Sequence, residues 1–384
     1  MGSSSASRTQ SSTKKYTQTD PRKIRNQLYP LSDIISTATL AVLCGYEDWE
    51  DVSMWSEANL SWLQPLGICL EGAPSHDTYN RFFRFLDPLV MQRCFIQWTQ
   101  SLVGKIKGII AIDGKTLRGS GESSSDLDAI HIVSAFAAEN DIILGQLKTA
   151  GKGKELEGIK LILQLLDIEG ATITIDAGGC HKEVAEIIRE RKGDYIFGLK
   201  GNQGTLLAET ESFFAQVLSM SEEEWSKECQ CDYFVSEEKS RNRQEKREIW
   251  STDDLEWLPQ RTAWKDLKSI VCVRSTRTLN SQSSIELRFY ISSCDSNAEI
   301  LGKGIRSHWG VENKVHYVLD VAYNEDKCRV RKDHGAENLS VMRRITQNMA
   351  KLETSKKLSM NKKRTLASLN PEYRLKLLGM AMSI

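Results

Sequence analysis

Two aspartates end short apolar runs, in positions where a carboxylate is unusual. Asp113 follows the run Gly108–Ile112, and Asp176 follows the run Ala171–Ile175. Both runs have the length and composition of buried strands, in which aspartate is disfavoured. A turn aspartate at the end of a single strand needs no function. Two such strands in one predicted sheet favour a shared site, because ligands bind where the carboxyl ends of neighbouring strands meet.

Glu312 is a third candidate, within a helix predicted over 297–318. Apolar residues recur around it at helical spacing, namely Ile305, Trp309, Val315 and Leu319. We expect Trp309 to pack in the core and fix this helix, with Glu312 on or beside the apolar stripe. A carboxylate that faces a core is strongly unfavourable unless it is paired or coordinated. Its partner is therefore either a metal ion or one of the neighbouring side chains Arg306, His308 and His316.

Three carboxylates from separate elements form a ligand set for hard divalent cations. Mg²⁺ prefers oxygen ligands and keeps several waters, so a few carboxylates suffice to hold it. Two such ions about 4 Å apart activate a water or a 3′-hydroxyl and stabilise the leaving oxygen of a phosphodiester. Without cations, three carboxylates gathered in one place would repel one another. The hypothesis is therefore a site for two Mg²⁺ ions, with Mn²⁺ as a substitute.

The elements that must position these residues begin with a helical region. Residues 1–28 are rich in Ser, Thr, Gln and Lys and lack an apolar period, so we expect a disordered basic tail. Helical spacing over 31–44 and 90–102, with a start signal at 75–78, predicts an all-helical N-terminal domain over 29–104.

From residue 108 the pattern predicts an α/β fold. Three strands joined by short turns indicate a meander, and two strand–helix–strand steps then add parallel crossovers. The predicted strands of this part are 108–113, 130–138, 142–149, 171–176 and 195–199. An insertion over about 205–295 is helical and acidic at first and then β-rich, with predicted strands at 233–236, 247–250, 269–274 and 285–292. Beyond the helix that carries Glu312, residues 351–384 are predicted to form a basic helical tail.

Charge is balanced overall but unevenly distributed. The chain has 51 Lys and Arg against 51 Asp and Glu, yet residues 1–28 hold six basic residues and one acid, and residues 327–384 hold fourteen basic residues and four acids. Basic ends around an acidic body suggest a polyanion held by those ends, with solvated tails as the alternative. There is no long apolar span and no signal-peptide pattern. With nine scattered cysteines, we expect a reduced, cytoplasmic protein without membrane association.

Four local motifs resemble one family of insertion-sequence transposases. They are AIDGKTLRG at 111–119, TIDAGGCHKE at 174–183, DYIFGLKGNQ at 194–203 and RSHWGVEN at 306–313. In this order, the motifs resemble those of the DDE transposases that include the bacterial H-repeat-associated proteins. The resemblance covers roughly residues 30–350. The resemblance implies a ribonuclease-H-like catalytic domain over 105–350, interrupted by the β-rich insertion.

The resemblance also implies roles for particular residues. Asp113, Asp176 and Glu312 correspond to the catalytic, metal-binding triad. In the broader group an Arg one turn before the Glu and a Lys two turns after it contact phosphates, and here those places hold His308 and Leu319. Candidates for DNA contact, each with a structural alternative such as a solvated turn or ion pairing, are Lys115, Arg118, Lys200, Asn202, Arg306, His308 and His316.

Three functions remain open at this point. The first is a transposase that cleaves the ends of an insertion sequence with Mg²⁺ and joins them to target DNA, as a homodimer associated with the nucleoid. The helical domain and the basic ends would then bind the element's ends. The second is a catalytically silent DNA-binding relic of a mobile element. The third is a metal-dependent nuclease on the same core.

Overall fold

A nine-stranded mixed sheet forms the centre of the computed structural model, which describes residues 20–22, 27–122, 128–240, 242–280 and 282–382. The strand order in that part of the chain is β3-β2-β1-β4-β5-β9-β8-β7-β6. The strands are β1 Ile109–Thr116, β2 His131–Ala137, β3 Ile142–Thr149, β4 Thr172–Ile175, β5 Asp194–Gly198, β6 Asp232–Ser240, β7 Arg243–Thr252, β8 Ser269–Leu279 and β9 Gln282–Ser292. Most of the predicted basic tail over 1–28 lies outside the described residues.

The first five strands follow the predicted order. Strands β1, β2 and β3 pair antiparallel, whereas β4 pairs parallel with both β1 and β5. Each parallel step is connected by a helix, α6 (Leu156–Leu165) before β4 and α7 (Lys182–Glu190) before β5. Both helices pack on the same face of the sheet, as right-handed crossovers around short parallel strands require.

The β-rich segment continues this sheet. Strand β9 pairs antiparallel with β5 from Ile196–Ser292 to Gly198–Tyr290, and β8, β7 and β6 follow outward. Helices α8 (Gly204–Val217) and α9 (Glu222–Glu228) precede these strands. The strands are longer than predicted because their outer halves are polar and exposed, so hydrophobicity marks only the inner halves.

The predicted helical region contains helices with clear start signals. Ser75 Oγ accepts a hydrogen bond from the Thr78 amide, as the start signal predicts, and Asp87 caps the helix that begins at Pro88. The helices of this region, not all of which have a side-chain cap, are α1 Leu31–Leu43, α2 Trp49–Ala58, α3 Leu60–Leu63, α4 His76–Phe85 and α5 Pro88–Val103.

Helices from the two ends of the chain share one core. Beyond α10 (Ala298–Val311) and α11 (Tyr317–Ala322) come α12 (Gly335–Leu352), α13 (Met360–Leu369) and α14 (Pro371–Met382). Helix α12 packs against α1, α4 and α5. Its Asn348 side chain exchanges two hydrogen bonds with the backbone of Ile143 at the sheet edge, at 2.8 and 3.0 Å. Helices therefore cover both faces of the sheet.

The basic C-terminal segment is helical, as predicted, but it is folded into this core and is not a free tail. Lys363, Arg364 and Arg374 are buried. Arg364 donates to the Val42 carbonyl at 2.8 Å and pairs with Glu47. These cations are used inside the fold, so the expectation that they bind a polyanion is wrong for them. In the described residues no helix is long and apolar enough to cross a membrane.

Candidate active site

Asp113 and Asp176 become neighbours through the pairing of their strands. The parallel register of β1 and β4 ends at Ile112 opposite Ile175. Each aspartate is the next residue on its strand, so both carboxylates leave the sheet at the same level. This is the arrangement that two strands ending in Asp predicted.

One detail of that prediction is wrong, because Asp113 does not end its strand. Strand β1 continues to Thr116, since Asp113 and the next three residues pair with β2 on the other side. Asp113 Oδ1 accepts a hydrogen bond from the Gly114 amide at 2.8 Å. Asp176 does follow the end of β4, and its Oδ1 accepts from the Gly178 amide at 3.0 Å, which turns the chain.

Glu312 reaches the same place from a helix interrupted by a π turn. Helix α10 crosses β1 and ends at Val311, and Glu312–His316 then form one π-helical turn before α11. A π turn inserts an extra residue into the helical repeat and is frequent at functional sites. The ligand atoms of Glu312 and His316 lie close to those of Asp113, whereas Val311 and Val315 pack in the helical core.

Two sequence-based expectations about this helix are wrong. Glu312 is more than half exposed and lies at the rim of the site, not facing a core. Trp309 is 39% exposed, with the guanidinium of Arg288 4.7 Å from its ring centroid, and it does not fill the core. An uninterrupted helical period assigned Trp309 to the stripe, whereas Val311 is the residue that packs there.

The three carboxylates line one cavity of about 740 Å³ between the sheet and α10. His316 lies beside two of them, with Nδ1 3.0 Å from Glu312 Oε2 and 3.5 Å from Asp113 Oδ2. Ligand atoms of Asp113, Glu312 and His316 all lie within 4.8 Å of one another. Asp176 lines the cavity from the β4 side.

The electrostatics of this cavity are compatible with a bound cation. Burial raises the pKa of Asp113 and the carboxylate of Asp176 adds to the rise, while His316 and His308 oppose it. The hydrogen bond with His316 lowers the pKa of Glu312. Burial lowers the pKa of His308, which disfavours its charged form. A divalent cation would relieve the carboxylate repulsion, and a set of carboxylate oxygens suits such an ion.

Two of the residues predicted to contact DNA are buried and already partnered. Lys115 is only 8% exposed and binds Asp320 at 2.7 Å and Asp326 at 3.0 Å. It therefore ties β1 to α11 and the turn that follows, and its predicted contact with phosphate would require these ion pairs to break. His316 is 3% exposed and faces the carboxylates, so the geometry does not support a contact with surface phosphate either.

The other predicted contacts have different surroundings. Arg118 is exposed beside Asp326, and Lys200 is exposed at the cavity wall. Asn202 donates to the Ala177 carbonyl at 2.7 Å, which fixes the turn after Asp176. Arg306 is exposed, 3.4 Å from Glu238, and His308 hydrogen-bonds Thr174 at 3.1 Å.

A basic groove that the sequence analysis missed adjoins the cavity. This groove, of about 670 Å³, lies between α10 and one face of the outer strands β6–β9. Three acidic residues and six basic ones line it, the basic ones being Arg243, Arg247, Arg277, Arg288, Lys303 and Arg306. It shares Arg288, Trp309 and three further residues with the cavity. The available signal was the alternation of Arg243, Glu245 and Arg247, which places all three on one face of a strand.

Comparison with known proteins defines the class. Residues 104–349 match the family described as "Transposase DDE domain", and residues 17–99 match a domain described as associated with it. The chain therefore belongs to the DDE transposase family, as the four motifs predicted. Membership of this family implies the use of a divalent metal, and the donor set of the cavity fits one.

Particular relatives are similar over nearly their whole length. "Putative protein YbfL" and "H repeat-associated putative transposase YhhI", both of Escherichia coli K12, are each 38% identical over 352 residues, which is 90% of this chain and 91% of the relative. A piggyBac transposase in a synaptic complex with hairpin DNA is similar at a TM-score of 0.40 and 12% identity, over 90% of this chain and 72% of that one. That likeness is too distant to carry an inference about this chain.

Proposed function

We propose that this protein is an active DNA transposase, which cleaves the ends of an insertion sequence and transfers the freed strands to target DNA. One observation carries the proposal. Carboxylates from three elements far apart in sequence, Asp113, Asp176 and Glu312, line a single cavity. Family membership supports the same reaction class.

A ribonuclease-H-like core is part of this proposal. The order β3-β2-β1-β4-β5, with β1, β2 and β3 antiparallel and β1, β4 and β5 parallel, supports it. In such a core the first and fourth strands lie side by side, so their carboxylates have a common exit. Strands β6–β9 are then an insertion that extends the sheet. The helical domain over 29–104 remains a candidate for binding DNA ends.

Asp113, Asp176 and Glu312 would hold two Mg²⁺ ions, with Mn²⁺ as a substitute. Bound there, these ions activate a water or a 3′-hydroxyl and stabilise the leaving oxygen of the phosphodiester. Asp113 links the other two carboxylates of the site, because it interacts with Asp176 and also lies in the cluster with Glu312. Lys115 restrains β1 against α11, which holds Asp113 and the π turn at a fixed spacing.

The hydrogen-bonded neighbours orient these ligands before substrate arrives. The Gly114 and Gly178 amides each occupy one oxygen of an aspartate and leave the second oxygen available. His308 bonds Thr174 on β4 and so fixes α10 against the strand that carries Asp176. Groups held in this way need little reorganisation during the reaction, which favours catalysis.

The basic groove is the proposed path of the DNA backbone to the cavity. It runs along α10 and opens into the cavity at Arg288 and Trp309, one helical turn before Glu312. Arg288 and Arg306 are partly exposed, so their guanidinium groups are accessible to phosphates. A strand bound along the groove would bring a phosphodiester to the carboxylates. Processing of two ends would then require two subunits, as a homodimer on DNA.

The test is an assay with the full chain, Mg²⁺, a DNA fragment carrying the element's end, and target DNA. We expect joined product, and we expect Asp176→Asn to abolish cutting and joining while end binding is retained. Glu186→Gln, an exposed carboxylate on α7, is the matched control and should leave joining unchanged. Binding alone would instead indicate a silent relic, and cleavage without joining would indicate a nuclease.

A further inference from the structure

We infer that His316 is a direct metal ligand, through Nδ1, for the cation held by Asp113 and Glu312. The inference rests on the proposed metal site and adds a nitrogen to a ligand set that family membership describes by its three carboxylates. It assigns a function to a buried side chain that the sequence analysis linked to DNA and the structure separates from the surface.

The distances match those between neighbouring ligands of one ion. Ligands about 2.1 Å from an octahedral cation lie about 3 Å apart when adjacent and about 4.2 Å apart when opposite. His316 Nδ1 is 3.0 Å from Glu312 Oε2 and 3.5 Å from Asp113 Oδ2, and the whole cluster fits within 4.8 Å. A cation could therefore contact all three atoms with small side-chain adjustments.

The local structure holds the ring in this orientation. Glu312 and His316 are the first and last residues of the π turn, and the flanking residues Val315 and Leu319 are fully buried. His316 Nε2 is buried and has no hydrogen-bond partner within the described part of the chain. Among the described residues, no group bonded to Nε2 fixes the tautomer of the ring. The group that binds Nδ1, on the side of the carboxylates, therefore sets the tautomer.

A second arrangement competes with this one. A protonated His316 would bridge Asp113 and Glu312 as an ion pair and would keep the cation away from Nδ1. The two arrangements differ in whether nitrogen is bonded to the metal, which can be measured directly. A nitrogen ligand would also favour Mn²⁺ over Mg²⁺, because imidazole suits transition metals better than Mg²⁺.

His308 provides a matched control in the same cavity. It lies two turns earlier, on α10, and lines the cavity, but its Nδ1 is engaged by Thr174. It is not part of the cluster formed by Asp113, Glu312 and His316. Replacing His308 should therefore remove a nearby histidine without removing a ligand.

The experiment is pulsed electron paramagnetic resonance of the full chain loaded with Mn²⁺, which detects nitrogen nuclei bonded to the ion. We expect nitrogen coupling in the wild type and in His308→Gln, and its loss in His316→Gln with Mn²⁺ still bound. Mn²⁺ affinity of His316→Gln should fall by about 10-fold or more, and by more than the affinity for Mg²⁺. If His316→Gln does not fold, heavy-nitrogen labelling of histidine in His308→Gln must change the coupling, which assigns the bonded nitrogen to a histidine other than His308.

Two other outcomes would overturn the inference in different ways. Bound Mn²⁺ without nitrogen coupling in the wild type, or coupling that persists in His316→Gln, excludes the His316 ligand and leaves the carboxylate site intact. Mn²⁺ binding that is unchanged in Asp113→Asn means that the cation is held elsewhere. That last result would overturn the proposed metal site together with the inference.

Discussion

At the residue scale, two charged side chains that are close together on one strand have different roles. Asp113 and Lys115 are two residues apart on β1 and share a strand face, yet one belongs to the proposed cation site and the other is a buried cation itself. Lys115 sits between Asp320 and Asp326, and its charge helps to lower the pKa of Glu312, after the larger effect of His316. Its position makes it a structural clamp for the site.

Replacing Lys115 should therefore destabilise the fold. Lys115→Met leaves Asp320 and Asp326 without their shared cation, and we expect a loss of about 1–3 kcal/mol, below the value for a fully buried pair because both aspartates are partly exposed. Urea unfolding at neutral pH measures it. Arg118→Met is the matched control, since Arg118 contacts the same Asp326 but is 83% exposed, and it should change stability by less than about 0.5 kcal/mol. Equal effects of the two changes would contradict this role.

The convergence of the candidate site residues was easier to predict from the sequence than their surroundings. Apolar runs ending in Asp113 and Asp176 predicted their convergence, because strand pairing follows from a local pattern. The exposure of Trp309 and Glu312 was not predictable, since a large apolar side chain at helical spacing is indistinguishable from a core residue in the sequence. The burial of Lys115 depends on Asp320 and Asp326, which are more than 200 residues away.

At the element scale, the register of β1 with β4 and the π turn after α10 together create the site. Both depend on a single residue, in the strand register for the first and in the helical repeat for the second. A shift of the β1–β4 register would separate the two aspartates, and the π turn sets where Glu312 and His316 lie relative to them. The outer strands β6–β9 were predicted in number and order, but their polar outer halves, which line the basic groove, were not.

The basic groove gives the prediction at this scale. Arg277→Gln removes a cation that makes no ion pair within the described residues, and it should weaken DNA binding equally for specific and unrelated sequences. The slope of log affinity against log salt should fall by about 1 for one lost phosphate contact. Binding titrations over a range of salt concentrations provide the measurement.

The control for this change lies outside the groove. Arg261→Gln removes an exposed arginine that pairs with Glu256, and the salt dependence should stay as in the wild type. If both variants lose the same affinity, binding follows net charge alone and the groove has no special part in it.

At the scale of the whole molecule, charge buried between helices joins the two ends of the chain. Charge counting predicted a basic C-terminal segment, and helical spacing predicted its helices. The burial of its Lys and Arg side chains could not be predicted. Their partners, such as Glu47 for Arg343 and Arg364, lie about 300 residues earlier in the sequence. Glu353, fully buried at the end of α12, is the acidic counterpart of this arrangement.

Glu353 predicts how stability depends on pH. Burial alone would raise its pKa, but hydrogen bonds from Ser355, Tyr373 and Lys376 outweigh burial and lower the pKa to about 2. A lowered pKa in the folded state stabilises the protein above the unfolded value of 4.5, and this contribution is lost as pH falls toward 2.

Glu353→Gln should therefore lower the free energy of unfolding by about 2–3 kcal/mol at neutral pH. The gap to the wild type should narrow as pH falls from about 4.5 toward 2, which denaturant unfolding at several pH values would follow. Glu372→Gln, at an exposed position on α14, should have little effect at any pH. A gap that does not vary with pH would mean that the carboxylate charge is not what stabilises these helices.

The most direct measurement of the central claim is the position of bound metal. Anomalous scattering from crystals of the full chain grown with Mn²⁺ should show two peaks about 4 Å apart, in contact with Asp113, Asp176 and Glu312. Asp113→Asn crystals should lack at least one of these peaks. Peaks that Asp176 or Glu312 does not touch, or the absence of any peak in the cavity at saturating Mn²⁺, would contradict the account.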